Sequence, residues 1–249
     1  MKNNTLKDKM EQQGNWLFKY RGILPIILLF AGTGFYLQTE INPSGWILEN
    51  SPFESYYEML CLIISLFGFA IRVYAVGYSP DNTSGRNTQN QVADVLNTTG
   101  IYSIVRNPLY IGNFFMWTGI ALLSGNFWFV GVFLLFYILY YERIIVAEES
   151  FLLEKFGKEY LEWVEKTPAV LPVFRKFRKS PKPFNWKKVL RQEKNGLAAL
   201  FFIFCFYNVV GELIEHSVDF NYFLVAACIL TLAGYCVLKY MKYNTNLLK

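Results

Sequence analysis

The feature that most limits the fold is a series of long, nearly uncharged apolar blocks near Gly22 to Gln38, Met59 to Tyr78, Leu109 to Ser124, Asn126 to Val146, Gly196 to Leu213 and Tyr222 to Tyr240. A helix satisfies its own backbone hydrogen bonds and needs about 20 apolar residues to cross roughly 30 Å of hydrocarbon. The blocks match or approach that length, so the expected fold is all-α and integral to a membrane, with about six transmembrane helices in one membrane domain over residues 1–249. A hydrophobic share of 53% against 17% charged excludes a disordered chain. The first block has the length of a signal peptide. Its Pro25 and Gly32-Thr33-Gly34 are unusual for an h-region, and no small-residue cleavage site follows. An uncleaved membrane helix is expected.

Basic residues set the orientation, because Lys and Arg beside short loops resist translocation while Asp and Glu matter little. Lys2, Lys7, Lys9, Lys19 and Arg21 precede the first block, whereas the loop Gln38 to Glu58 has Glu40, Glu49, Glu54 and Glu58 and no base. Arg86 and Arg106 follow the second block, and Arg143 to Lys194 is heavily basic. Glu212 to Asp219 is acidic, and Lys239, Lys242 and Lys249 close the chain. Six spans with both termini in the cytoplasm satisfy every loop. The net charge of +5 then belongs to one membrane face, where anionic headgroups are the counterions, and does not point to nucleic acid. Trp16, Tyr20, Trp46, Trp128 and Trp186 lie near block ends as interfacial anchors do.

Cys61, Cys205, Cys228 and Cys236 fall inside apolar blocks without CxxC spacing, which supports neither a disulfide framework nor a thiolate metal site. His216, the single histidine, sits in an acidic loop. No metal site and no histidine base are expected. A GxGxxG after a strand and a P-loop are both missing, so a nucleotide-like cofactor would need another kind of cradle.

Polar residues are costly in a membrane protein and tend to mark function. Ser79 to Pro108 is long for an idle connection. In Glu142 to Pro172, Leu152, Phe156, Tyr160 and Trp163 recur at helical spacing while Lys155, Lys158, Glu159, Glu162 and Lys166 face elsewhere. That amphipathic helix either lies on headgroups or folds over the mouth of the bundle, and periodicity leaves both open. Arg72, inside the second block, has two readings as well: snorkelling to the interface or holding a substrate. Glu142 and Arg143 are either interfacial polar residues or part of a site.

The sharpest motif is Gly100-Ile101-Tyr102-Ser103-Ile104-Val105-Arg106-Asn107-Pro108-Leu109-Tyr110-Ile111-Gly112-Asn113. Gly100 frees a turn, Pro108 suits the first helical position, and the helix N-terminus offers unpaired N–H groups to an anion. Tyr102 and Tyr110 add flat faces on which an organic cation or a purine can rest. An ordinary membrane-entry turn explains these residues equally well.

The string G-x-Y-x-x-x-R-[HN]-P-x-Y-x-G, a tight helical hairpin, and then Glu148-Glu149-Ser150-Phe151-Leu152-Leu153-Glu154-Lys155-Phe156-Gly157-Lys158-Glu159-Tyr160 with Pro168 and Pro172 beyond resemble the isoprenylcysteine carboxyl methyltransferase and phospholipid methyltransferase superfamily. The resemblance covers Gly100 to Pro172 and leaves the last two blocks, 196–240, outside the matched core. It implies a membrane methyltransferase that takes S-adenosylmethionine from the cytoplasm and methylates a lipid or lipidated acceptor arriving from the bilayer. By position, Tyr102, Asn107, Pro108, Tyr110, Gly112, Glu148, Glu149 and Tyr160 would bind the cofactor. Arg106, Glu149 and Glu148 would be catalytic, and Arg72, Arg86 and Arg143 would hold the acceptor. Asn107 departs from the histidine of many relatives, and an amide cannot titrate near neutrality. Methyl transfer from a sulfonium to a carboxylate or phosphate oxygen needs no base, so a site without histidine is no handicap. The run Thr83 to Thr88 and Leu96 to Gly100 is similar to bacterial members proposed to methylate a lipid phosphate, such as the 1-phosphate of lipid A, while prenylcysteine remains open.

Two alternatives compete. Steroid-reductase-type membrane reductases carry a related R-H-P-N-Y-x-G-E turn, but this chain has Leu109 and Asn113 where that pattern has Asn and Glu. The other alternative is a small transporter or a non-catalytic scaffold; transporters commonly show internal repeats and broken helices, and neither is evident.

Overall fold

The computed structural model describes residues 5–42, 53–80, 91–216, 219–245 and 247. The described residues form seven α-helices and no strand: α1 (Leu6–Lys19), α2 (Ile23–Ile41), α3 (Glu54–Tyr78), α4 (Pro108–Leu122), α5 (Phe127–Lys166), α6 (Trp186–Ile214) and α7 (Tyr222–Asn244). Arg86, Trp46 and the run Thr83 to Thr88 lie outside the described residues. Four helices, α3, α5, α6 and α7, are long and apolar enough to cross a membrane. The other two expected spans form as helices at α2 and α4. With 15 residues, α4 rises about 22 Å, short of a hydrocarbon core of about 30 Å.

Helix α1, which sequence treats only as a basic flank, is a capped helix in its own right. Thr5 and Asp8 form a reciprocal capping box, and Gly14 packs against the Arg143 carbonyl and Ala147 of α5. Helices α2 and α6 meet through Tyr36, whose hydroxyl donates to the Tyr207 carbonyl at 2.7 Å, and through Thr33 and Tyr207 at 3.0 Å. Such hydrogen bonds, with close packing of small residues, hold helices together where lipid removes the hydrophobic drive. The start of α6 docks on the end of α3. Lys188 Nζ donates to the carbonyls of Ser79 (2.9 Å) and Pro80 (2.7 Å) and to Ser79 Oγ, satisfying acceptors at a helix C-terminus.

Helix α5 joins two elements that sequence separates: the expected span ending at Val146 and the amphipathic stretch after it. No Gly or Pro interrupts residues 147–156, and Ala, Glu, Leu and Lys there are strong helix formers. At about 60 Å the helix is twice the thickness of a bilayer core, so its distal half lies beyond any span. It bends at Gly157, whose φ of 51° and ψ of −119° suit glycine alone. Gly157→Ala is therefore expected to cost about 1–3 kcal/mol, read as a lower melting temperature with faster amide exchange over 158–166. Unchanged exchange would refute the bend as a constraint.

Candidate functional site

The motif before α4 folds into a turn stitched to the chain that follows α5. The Gly100 N–H donates to the Arg178 carbonyl at 2.8 Å, and Ser103 Oγ accepts from the Arg178 N–H at 2.8 Å. The Arg106 N–H reaches the Pro168 carbonyl at 2.9 Å, and the Val173 N–H reaches that of Ile104 at 3.0 Å. Pro108 occupies the first helical position as expected, but the Asn107 side chain does not cap the helix. Its Nδ2 donates to the Ala169 carbonyl at 3.0 Å, the work of a strap.

Arg106 joins the two halves of the motif. Nε and Nη2 donate to Glu149 Oε1 at 3.0 and 2.7 Å, and Nη1 donates to the Thr167 carbonyl at 2.8 Å and that of Val164 at 3.4 Å. The amphipathic stripe of α5 lands beside this contact. Tyr160 and Trp163 cluster with Leu96, backed by Tyr102, Leu152 and Phe156, and Trp163 Nε1 donates to the Tyr102 carbonyl at 3.0 Å. The stripe is thus covered by the chain's own loop. Burial pushes the Tyr102 phenol above its ordinary value, with the Glu148 charge adding to the effect, so that hydroxyl stays neutral.

Beneath the turn lies a cavity of about 530 Å³, within the range of small-molecule sites. One end is walled by Tyr102, Arg106, Asn107, Tyr110, Glu148 and Trp163. Further along α4 and α6 the wall becomes apolar, with Met116, Trp117, Ile120, Leu200 and Ile203. Between these ends sit Arg72, Asn113 and Glu193. Arg72 grips the Glu193 carboxylate through Nε (2.9 Å) and Nη2 (2.7 Å), and Nη1 donates to Asn113 Oδ1 at 2.7 Å. Arg72 therefore does not snorkel. Arg21, from the α1–α2 junction, lies 3.8 Å from Glu148 on the same wall.

Of the residues expected at a site, Tyr102, Arg106, Asn107, Pro108, Tyr110, Glu148 and Arg72 line the cavity. Glu149 stands behind Arg106. Tyr160 is buried, and its hydroxyl has no hydrogen-bond partner among the described residues. Gly112 is off the wall, in the crossing of α3 and α4 beside Arg72 and Gly68. Arg143, also off the wall, pairs with its neighbour Glu142 at 2.7 Å. Sequence reasoning missed Arg21, Asn113 and Glu193. Of these, Glu193 left the weakest signal, being one acid in a basic stretch; its burial at 3% exposure comes from packing against distant helices. No group of residues suited to a metal occurs among the described residues.

The profile of the phospholipid methyltransferase family matches residues 59–159. Among curated proteins, the chain is 38% identical over 163 residues to the protein-S-isoprenylcysteine O-methyltransferase of Schizosaccharomyces pombe, covering 64% of this chain and 66% of the relative. It is 34% identical over 134 residues to the protein of the same name from Xenopus laevis, covering 51% and 44%. To the Saccharomyces cerevisiae protein of that name it is 29% identical over 113 residues, covering 45% and 46%. The chain thus spans between about half and two thirds of the length of these relatives. No solved structure matches it. The matched family is the one that the Arg-Asn-Pro and Glu-Glu motifs resemble. Helices α6 and α7, with Glu193, lie beyond the family profile.

Proposed function

We propose that this chain, which belongs to the isoprenylcysteine carboxyl methyltransferase and phospholipid methyltransferase superfamily, is an integral-membrane, S-adenosylmethionine-dependent methyltransferase acting on an anionic oxygen of a lipid or lipidated acceptor. One observation carries the reading. Arg106 and Glu149, from the two separate motif halves, close on each other at 2.7 Å beside a cavity that runs from polar to apolar walls. A donor that is cationic and water-soluble suits the first end, and a greasy acceptor suits the second.

The polar end fits S-adenosylmethionine by its chemistry. The Glu148 carboxylate matches an ammonium or ribose hydroxyls, and the faces of Tyr102, Tyr110 and Trp163 match a sulfonium and a purine. The Tyr160 hydroxyl is buried beside Glu149 and Arg106, off the cavity wall. When bound, S-adenosylmethionine would supply an electrophilic methyl group with a neutral thioether as leaving group. The chain itself then has to align and to exclude water. Pre-organisation of this kind supplies on the order of 7–11 kcal/mol of a barrier, and no titrating base is required. Arg106 and Glu149 hold the α5 segment over the site, Arg72 faces the acceptor, and Arg143 is given no part. The basic residues around the motif favour the cytoplasmic face, with α2 and α4 completing six membrane helices.

Detergent-purified protein titrated with S-adenosylmethionine should gain stability, by about 2.7 kcal/mol at a hundredfold excess over Kd, and should not respond to NADPH. A response to NADPH alone would establish the reductase reading instead. Silence toward both would favour a transporter or scaffold.

A further inference from the structure

Between α5 and α6 the chain runs across the motif turn as a strap, and no acidic residue interrupts it from Thr167 to Gln192. Arg175, Lys176, Arg178, Lys179, Lys182 and Lys187 are all exposed there. Large apolar side chains stand exposed among them, Leu171 at 80%, Phe174 at 73% and Trp186 at 65%. Holding a loop in the cytoplasm asks for bases alone. Apolar groups interspersed with those bases call for a surface that is greasy and negative at once.

The depth of the strap follows from what it touches. The Asn185 N–H donates to the Gly77 carbonyl at 2.9 Å, and the Phe184 ring meets Tyr78 edge-on at 5.2 Å and Trp186 at 4.4 Å between centroids. Gly77 and Tyr78 belong to the last turn of α3, where an apolar span runs out, so this end of the strap lies at the level of the headgroups. Tyr and Trp gather at that level in membrane proteins. Toward the protein the strap is stitched to the motif turn, Val173 N–H to the Ile104 carbonyl at 3.0 Å and Arg178 N–H to Ser103 Oγ at 2.8 Å. Every residue from Leu171 to Lys179 nevertheless remains exposed.

We infer that the strap is a docking surface for the anionic phospholipid headgroups of the surrounding leaflet, and that headgroups seated on it brace the motif turn. The bases attract lipid phosphates, and Leu171 and Phe174 enter the boundary between headgroups and acyl chains. The inference rests on the membrane placement in the reading above, not on its methyl chemistry. It gives a lipid ligand to a segment beyond the family profile, which ends at residue 159.

Hydrogen exchange of the full chain in lipid nanodiscs, with no methyl donor present, tests this. The Val173 and Arg178 amides report the joint between strap and turn. Their exchange should be about tenfold slower in discs with about 30% phosphatidylglycerol than in discs of phosphatidylcholine alone, and roughly 0.5 M salt should shrink that ratio. Neutralising Arg175, Lys179, Lys182 and Lys187 together to Gln should bring the ratio near one. Exchanging the same four between Arg and Lys should preserve it, which separates charge from fold; Lys176 and Arg178 are left in place because their side chains hold the Lys166 and Thr98 carbonyls. Equal exchange of the wild type in the two bilayers overturns the inference, as does a Gln variant that responds like the wild type or a swapped variant that does not respond. Protection by soluble polyglutamate without any response to phosphatidylglycerol would mean an acidic protein partner and overturns it too. Failure of the chain to enter discs would sink the membrane placement itself, whereas entry without a lipid response sinks only the strap's role. Titration with S-adenosylmethionine tests the methyltransferase reading separately.

Discussion

Arg106→Ala is expected to weaken S-adenosylmethionine binding by about 10²-fold, measured by titration of the solubilised protein, while α-helix content is retained. The guanidinium makes two bonds to Glu149 and two to the carbonyls of Val164 and Thr167. Bonds to charged groups are worth about 1.5–3 kcal/mol each when buried, and Glu149 is partly exposed, so solvent discounts the sum. About 3 kcal/mol then remains for holding the end of α5 against the Tyr102 turn, and binding must supply it once the bonds are gone. Arg106→Lys should recover only part, because an ammonium cannot fork across a carboxylate and two carbonyls. The motif resemblance implies that Arg106 is catalytic, while the geometry makes it a latch, and a double-mutant cycle separates these. In a Glu149→Ala background a latch loses much of its effect, giving a coupling of about 1–3 kcal/mol. An arginine that touches the donor itself would show its full effect in either background.

How far the molecule was legible in its sequence depends on how local each cause is. The apolar blocks announced themselves because a span needs nothing beyond its own length and lack of charge, and helices stand at all six expected places. The two motif halves were legible as residues, and their juxtaposition at Arg106 and Glu149 follows the order that the resemblance implied. The spacing of Leu152, Phe156, Tyr160 and Trp163 revealed a stripe, yet its cover, Leu96 and Tyr102, is a contact across the chain that periodicity does not contain. The same holds for Glu193. Read along the sequence it is an acid among Lys187, Lys188, Arg191 and Lys194, and only the docking of α6 on α3 brings it to Arg72. The pairing of Arg72 also removes the need to snorkel, since a partly buried arginine with a forked carboxylate and an amide is satisfied where it stands.

Gly112→Ala should lower stability by about 1–3 kcal/mol, and Gly112→Val by about 3 kcal/mol or more, seen as a fall in melting temperature with no donor present. A Cβ at this position would lie 2.5 Å from Arg72 Cγ and 2.8 Å from the Gly68 carbonyl oxygen. The oxygen belongs to backbone and cannot step aside, and the arginine is pinned at its far end by Glu193 and Asn113. Helices α3 and α4 must therefore separate, and close approach of small residues is what holds helices together in a membrane. Separation also displaces Arg72, so acceptor affinity should fall in the fraction that remains folded, while donor affinity measured below the melting temperature changes little. The motif alone suggests the opposite order, because Gly112 there reads as part of the cofactor cradle. A Gly112→Ala protein with unaltered melting temperature and weakened S-adenosylmethionine binding would restore that reading and remove the helix crossing as the reason for glycine.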